Sequence, residues 1–393
     1  MTLYSIIELV DSFCFIVLGL SAVYLFIFAI MSHRKVSYSY PQAKKANRII
    51  VFFPAYKEDN VIEEAINSFL NQTYPKDKFD LVVISDHMEE ITNQRLSKLP
   101  IKLLKVNFEQ STKAKALNYA IDSSTGTNYD LVVILDADNT VDSNFLHKIN
   151  NAYHSGAMAI QAHRVAKNLN TETAILDAVS EEINNSIFRK GHVRLGFSSA
   201  LIGSGMAFDF KWFKEHIKLV SSAGEDKELE TMLLKENIYI EYLDDVLVYD
   251  EKTQKDSVFY NQRRRWLAAQ FYSLTKSLID LPHAVICLNV DYIDKLVQWT
   301  MPSRIMLLGF SFLFSLMLLP VNWLWSIKWL GLLLLLIITF SLAVPDYLVN
   351  DKFIKALKKA PKLFILMTLN IFRIRGASKK FIHTEHGSNS NTK

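Results

Sequence analysis

Three stretches of this chain carry no charged side chain for long enough to restrict the fold. Ser12 to Ser32, Ile305 to Ile327 and Trp329 to Pro345 contain no Asp, Glu, Lys or Arg, and a helix that crosses a bilayer needs about 20 predominantly apolar residues. The first run is too long and too uniform for the core of a signal peptide, and no small-residue cleavage site follows it, so it reads as a retained anchor. Pro320, Val321 and Asn322 form a turn between the second and third. The chain is therefore expected to hold one N-terminal and two C-terminal membrane helices around a long polar segment. Half of its 393 residues are apolar and 12% are aromatic, which suits that reading.

Orientation follows from the flanking cations. Arg34, Lys35, Lys44, Lys45 and Arg48 follow the first run, and Lys352, Lys355, Lys358, Lys359 and Lys362 follow the third. The opposite flanks carry Glu8, Asp11 and the hairpin residue Lys328. The positive-inside rule puts residues 33–300 and the C-terminal tail in the cytoplasm of a multi-pass protein, with a bacterial-type inner membrane expected. Cys14 and Cys287 are far apart, which argues against a disulfide framework and agrees with a reducing compartment. Two shorter stretches, Leu363 to Phe372 and His283 to Thr300, read as interfacial; for the second, a buried helix of the soluble part stays open. The expected organisation is an anchor and basic linker (1–47), a soluble domain (48–280), an interfacial region (281–303), two membrane helices (304–346) and a basic tail (347–393). The "FIHTEH" stretch at 381–386 has no assigned role.

From Arg48 onward, strand and helix patterns alternate. Residues 48–53, 79–85, 101–108 and 129–138 are short apolar runs that predict buried strands. Residues 58–72, 112–124 and 143–155 have helical spacing, with Asp142 as the expected cap of the last. The alternation predicts an α/β fold with a mainly parallel sheet. Ligands then lie beyond the carboxyl ends of the strands, which draws attention to Pro54–Glu58, Asp86 and Asp136–Asp138. No GxGxxG or GxxxxGK[ST] stands at these exits, which argues against a dinucleotide-dependent dehydrogenase or a P-loop NTPase.

The chemical groups fall at these exits and further along. "LDADN" (135–139) offers Asp136 and Asp138, hard oxygen ligands for Mg²⁺ or Mn²⁺. Asp86 closes a strand, where a carboxylate can bind a base or ribose. Lys113 and Lys115 open a helix whose N-terminus favours anions; a solvated position is expected for Lys113. Glu225 and Asp226 open an acidic helix, and one of them can project as a general base. Gly203 and Gly205 permit close backbone approach. In "NQRRRW" (261–266), Gln262, Arg265 and Trp266 share a helix face, leaving Arg263 and Arg264 for the membrane surface or structural ion pairs. His154, His163 and His192 lack paired ligand spacing and read as surface or supporting groups.

In this order "PAYKED", Asp86, "KAKALN", "LDADN", "GSGMAF", "GED" and "QRRRW" resemble the membrane-bound family 2 glycosyltransferases, which include the cellulose, hyaluronan, chitin and poly-N-acetylglucosamine synthases. The resemblance spans about residues 48–270 and implies a GT-A-like fold, a role in polysaccharide biosynthesis and a nucleotide-sugar donor. It also implies residue roles. Ala55, Tyr56 and Glu58 match the uridine-binding exit, Asp86 the nucleotide aspartate and Lys115 the lysine near the nucleotide. Asp136 and Asp138 match the DxD pair, with Asp138 the preferred metal ligand, and Asp226 the catalytic base. Gln262, Arg265 and Trp266 match the QxxRW motif that holds the donor diphosphate and lines the acceptor site, where Glu225 is also expected. Lys57 stands where the family often has Asn, "HMEE" after Asp86 departs from the usual small or acidic continuation, and the membrane helices are fewer than in processive synthases. The expected partners are a nucleotide sugar, a glycan or glycolipid acceptor, membrane lipid and other cell-envelope biosynthesis proteins, and not nucleic acid. Competing readings are a polyprenyl-phosphate glycosyltransferase and a non-catalytic nucleotide-sugar-binding protein; a transporter is disfavoured, because the three expected spans show no intramembrane charges or broken helices and so give no substrate pathway.

Overall fold

The computed structural model of the chain describes residues 2–35, 40–124, 126–222 and 224–372. The "FIHTEH" stretch lies outside them. At the centre is an eight-stranded mixed sheet: β1 (Ile49–Tyr56), β2 (Phe79–Asp86), β3 (Lys102–Val106), β4 (Leu131–Ile134), β5 (Thr140–Val141), β6 (Ala159–Ala166), β7 (Met206–Asp209) and β8 (Ile240–Asp250). Its order is β3-β2-β1-β4-β7-β6-β8-β5. The β3-β2-β1-β4 half is parallel, as the alternating pattern predicts. β7 enters antiparallel to both β4 and β6, while β6 and β8 pair in parallel.

β1 shows why this sheet is covered on both faces. Alternate residues of a strand point to opposite sides. Ile49, Val51 and Phe53 pack with Ile62, Ile66, Phe69 and Ile149. Ile50 and Phe52 pack on the other side with Leu117, Ile121, Phe208 and Leu233. A strand buried on both faces reads as a continuous apolar run, which is what "IIVFF" is. Asp142 does not cap the following helix: Phe145–His154 starts after Asn144 without a side-chain cap, and Thr140 and Val141 pair with β8 instead.

The apolar runs form helices whose ends differ from the uncharged stretches. The first helix, Leu3–Met31, begins ahead of Ser12 and takes in Glu8 and Asp11. Trp323–Ala343 begins ahead of Trp329 and takes in Lys328. Both are long and apolar enough to cross a membrane. Arg304–Leu318 has only 15 residues; it reaches spanning length only together with Val290–Thr300, from which it is bent by 54°. One face of Val290–Thr300 is buried in the domain core through Tyr292, Leu296 and Trp299. Nearby, Ile279, Ile286, Leu288 and Val290 remain exposed.

The membrane helices and the domain share a third apolar cluster. Leu18, Leu25 and Phe28 pack with Ile175, Val179 and Ile183 of the helix Glu172–Asn184, and with Leu307, Trp329 and Leu336. That helix continues into a π-helical turn, Asn185–Gly191. Gly191 lies so close to the first helix that a Cβ there would stand 2.3 Å from the Phe28 carbonyl oxygen. His192 is not at the surface. It is fully buried, stacks on Phe28 at 3.7 Å and binds Tyr24 Oη at 2.8 Å.

Asp11 is buried between the first helix and Trp323–Ala343, where it pairs with Lys328 and accepts the Trp329 indole N–H at 2.7 Å. Removing one member of a buried pair costs about 3–5 kcal/mol, whereas apolar replacement of both can be neutral. Asp11→Leu and Lys328→Met should each lower the melting temperature in detergent, and the double variant should recover most of the loss. Additive losses in the double variant would show that the pair contributes nothing.

Candidate active site

β2, β1 and β4 are neighbours in the sheet, so the loops that leave them share one edge. The residues just past β1 and β2, Lys57 and His87, both have φ of 55°, a left-handed conformation uncommon outside glycine. This sharp exit is tied across the strands, because the Lys57 N–H donates to the Asp86 carbonyl at 3.1 Å. The Asp86 carboxylate is buried and accepts hydrogen bonds from His87 Nδ1 at 2.6 Å and from the Phe108 N–H at 3.3 Å. His87 is thus the chemical content of the atypical continuation after Asp86.

These exits open into a cleft of about 480 Å³. Its walls include Ala55, Tyr56, Glu58, Asp86, Asp136, Asp138, Glu225, Asp226, Gln262, Arg265 and Trp266. Every site residue expected from the sequence is there except Lys115. Lys115 is exposed, and its ammonium donates to the Gln110 carbonyl at 2.7 Å. Lys113, expected in solvent, occupies the cleft instead. Its Nζ pairs with Asp136, donates to the Gly203 carbonyl at 2.6 Å and lies 3.7 Å from Glu225 Oε1. The reason is helical phase. On Lys113–Asp122 the buried residues are Ala114, Ala116, Leu117, Ala120 and Ile121. Residues three and four apart share a face, so Lys113 sides with Ala116 and Leu117, and Lys115 points away.

Asp138 is almost fully buried. One of its oxygens accepts from Asn139 Nδ2 at 3.1 Å and the other from the Glu251 N–H at 2.9 Å. The loop carrying Asp136 and Asp138 is held by Asn139 Oδ1 and Ser204 Oγ, both 3.0 Å from the Asp136 N–H. Among the described residues no group of three or more His, Cys, Asp or Glu is arranged to hold an ion unaided.

Glu225 and Asp226 open the helix Glu225–Lys235. Gly203 brings its backbone under them with φ of +84°; a Cβ there would face Glu225 Oε1 at 3.6 Å and Asp226 Oδ2 at 3.9 Å. Asp226 Oδ1 accepts the Lys227 N–H at 2.9 Å. Burial pushes the Glu225 carboxyl up to about 7; the Asp226 charge adds to this and Lys113 opposes it. The preceding loop is fixed by Glu228, which accepts the Ser222 N–H at 2.7 Å and binds Lys276 at 2.9 Å.

The helix Asp256–Ser277 carries "QRRRW". Burial pulls Arg265 below its ordinary range, while Glu225, Asp136 and Asp226 act on it in the opposite sense. Gln262 Oε1 is a buried acceptor without a partner. Arg263 also reaches the cleft wall. It pairs with Asp177 and lies 4.4 Å above the Trp266 ring, so it is a structural ion pair that also orients the tryptophan. Arg264 is not part of the cleft lining. The cleft is also lined by a buried ionic network that no local sequence pattern marks: Glu181 pairs with Arg164 at 3.0 Å and Arg189 at 3.2 Å, and Asp250 with Lys252 at 2.8 Å. His163 joins it through Glu182 at 3.2 Å.

The family model described as "Glycosyl transferase family group 2" matches residues 131–342. A curated relative, the "Probable glycosyltransferase YdaM" of Bacillus subtilis (strain 168), is 22% identical over 256 residues. The match takes in 60% of this chain and spans only 58% of the relative's length. Among solved structures, the mannosyltransferase PcManGT from Pyrobaculum calidifontis, in complex with GDP-Man and Mn²⁺, superposes with a TM-score of 0.55 at 17% identity. That superposition covers 86% of this chain and 97% of the mannosyltransferase.

The Glu225 geometry has a pH signature. A carboxyl whose folded pKa exceeds its unfolded value favours the fold while protonated, so its contribution is lost as pH rises from about 4.5 through about 7. Glu225→Gln removes that loss. The melting temperature of the variant minus that of the wild type should grow between about pH 5 and about pH 8. A difference independent of pH would mean that Glu225 titrates as an ordinary carboxylate.

Proposed function

Because the chain belongs to glycosyl transferase family group 2, we propose that it moves a sugar from a nucleotide-sugar donor, with inversion, to a hydroxyl of a glycan or glycolipid at a membrane surface. One observation carries this reading. Strand exits near residues 55, 86 and 136, the helix start at 225 and the helix face at 262–266 line a single cleft, although they lie far apart in sequence.

The roles follow from position. Ala55, Tyr56, Glu58 and Asp86 take the base and ribose. Lys113, not Lys115, stands with Arg265 where the diphosphate departs. Asp136 and Asp138 suit Mg²⁺ or Mn²⁺, ions that take one or two carboxylates and complete their shell with substrate phosphates. The mannosyltransferase of the same fold was solved with GDP-Man and Mn²⁺. When bound, such an ion offsets charge on the leaving diphosphate. Gln262 Oε1, a buried acceptor lacking a donor, gains one from the substrate.

Transfer is a single displacement. Asp226, through Oδ2, takes the proton of the acceptor hydroxyl. The hydroxyl oxygen bonds to the anomeric carbon as that carbon's bond to the phosphate oxygen breaks, and the electron pair leaves with the diphosphate. An α-linked donor then gives a β-linked product. Arg265 and Lys113 meet the developing charge with preorganised donors. Glu225, raised toward neutrality, can donate to the acceptor, and Trp266 supplies an apolar platform for its sugar ring. The basic flanks support a cytoplasmic side for this domain in a multi-pass membrane protein.

The proposal is tested with purified protein, a panel of nucleotide sugars and Mg²⁺ or Mn²⁺, scoring nucleoside diphosphate release with and without membrane lipid extract. If no donor gives acceptor-dependent release, the reading is wrong. Asp226→Asn should lower turnover by about 10²–10⁴-fold with donor affinity retained. Lys113→Ala should cost about 10²-fold or more, whereas Lys115→Ala should leave the rate unchanged; equal losses at both would overturn the lysine assignment.

A further inference from the structure

The cleft continues past the carboxylates. Its lining extends to Met301, Pro302, Ser303 and Arg304, and to Leu25 of the first helix and Met367 of the C-terminal helix Ala360–Phe372. Its charges are not treated alike along this length. Lys113 is met by Asp136 and Glu225, Arg263 by Asp177, and Lys295 by Glu230. Among the described residues Arg304 forms no such ion pair. Its Nη1 donates to Asn184 Oδ1 at 2.8 Å, and its Nη2 to the Ser180 carbonyl at 3.1 Å and Ser180 Oγ at 2.8 Å. All three acceptors are neutral, and a guanidinium has five donors. Its charged neighbours are two more guanidinium groups, Arg263 and Arg189, and the Glu181 carboxylate, which is already paired with Arg164 and Arg189.

Ser303 adds a second, independent observation. It precedes the helix Arg304–Leu318, yet its side chain caps nothing, and its Oγ is buried without a partner. A cation whose hydrogen bonds go to neutral acceptors, an orphaned hydroxyl and the positive end of a helix converge on one wall. That combination suits an anion with several acceptor oxygens. The proposed donor diphosphate is assigned to Arg265 and Lys113, beside the Asp136 and Glu225 carboxylates, whereas Arg304 is bonded to Asn184 and Ser180. The nearby wall is apolar, since Met301 packs against the cluster that contains Leu25. A free inorganic anion has no use for such a wall, but a phosphate attached to a lipid does.

We propose that Ser303 and Arg304 form a second phosphate subsite, which anchors the phosphate of a lipid-linked sugar acceptor while its lipid chain runs along Leu25, Met301 and Met367. The subsite rests on the glycosyltransferase reading and narrows its acceptor to a lipid-phosphate-linked sugar. The anchored phosphate takes no part in bond-making, and the attacking group is the sugar hydroxyl at Asp226.

The test uses the full chain in nanodiscs of zwitterionic lipid, with the cleft tryptophans Trp266 and Trp299 as fluorescent reporters. The probes are farnesyl phosphate, farnesol, inorganic phosphate and UDP. Farnesyl phosphate should bind saturably and without competition from UDP. Arg304→Gln should weaken it by about tenfold or more, Arg304→Lys by less, and UDP binding should be unchanged in both. Unchanged farnesyl phosphate binding in Arg304→Gln, or displacement by UDP, would overturn the subsite. Equally strong binding of inorganic phosphate would make it a free-anion site and overturn the lipid assignment. Transfer of sugar onto farnesyl phosphate itself would make the phosphate the nucleophile and overturn the anchoring role. Failure of every nucleotide sugar to turn over, with farnesyl phosphate binding intact and Arg304-dependent, would sink the transferase reading and leave the subsite standing.

Discussion

The ammonium of Lys113 is the contact on which the cleft depends. It draws together Asp136 from the end of β4, the carbonyl of Gly203 and Glu225 from the start of the helix Glu225–Lys235. Three chain segments that would otherwise present their negative groups to one another are held around one positive charge. The compensation is incomplete. Glu225 still sits with its carboxyl raised toward neutrality by burial and by Asp226. A site left with excess negative charge is one that gains stability when a cation and its counter-charged ligand arrive together, because anything that binds the folded state alone stabilises it.

Much of this was legible in the sequence because it rests on local pattern. The apolar runs that became β1, β2 and β4 are continuous, and each ends in a polar residue that marks the exit. The i, i+3, i+4 spacing of Gln262, Arg265 and Trp266 placed them on one face without knowledge of the fold. The lysine that lines the cleft is Lys113 and not Lys115, and the sequence carries its signal: Lys113, Ala116, Leu117 and Ala120 recur at helical spacing, and the buried side of a helix is read from that stripe. Other features could not be read. β7 joins β4 and β6 in antiparallel fashion, and no short run such as "MAFD" specifies its partners. The buried ion pairs of Arg164, Glu181, Arg189 and Asp250 depend on long-range packing, and a charged residue in the sequence does not announce that it will be enclosed. The uncharged runs marked the two helices long and apolar enough to cross a membrane but not their ends, because Asp11 and Lys328 pair between them, and the run Ile305 to Ile327 breaks after Leu318 and reaches spanning length only with Val290–Thr300.

The arginine triplet shows how one short segment can serve two purposes. Arg265 faces the carboxylates of the cleft, while Arg263 is committed to Asp177 and to the face of Trp266. The cation–π contact and the ion pair hold the Trp266 ring in place in the cleft wall. Arg263 therefore acts on the site through Trp266, and losing it would loosen a wall rather than remove a charge.

The close approach of Gly191 to Phe28 has a mechanical side. At that point the backbone of the domain rests on the backbone of the first helix, with the rings of Phe28 and His192 stacked beside it. No side chain separates the two backbones there, so the first helix is seated directly on the turn Asn185–Gly191. A helix longer than the hydrocarbon layer around it tilts to fit. Where the first helix crosses a bilayer, such a tilt bears directly on the turn at Gly191, and membrane thickness is then felt by the domain.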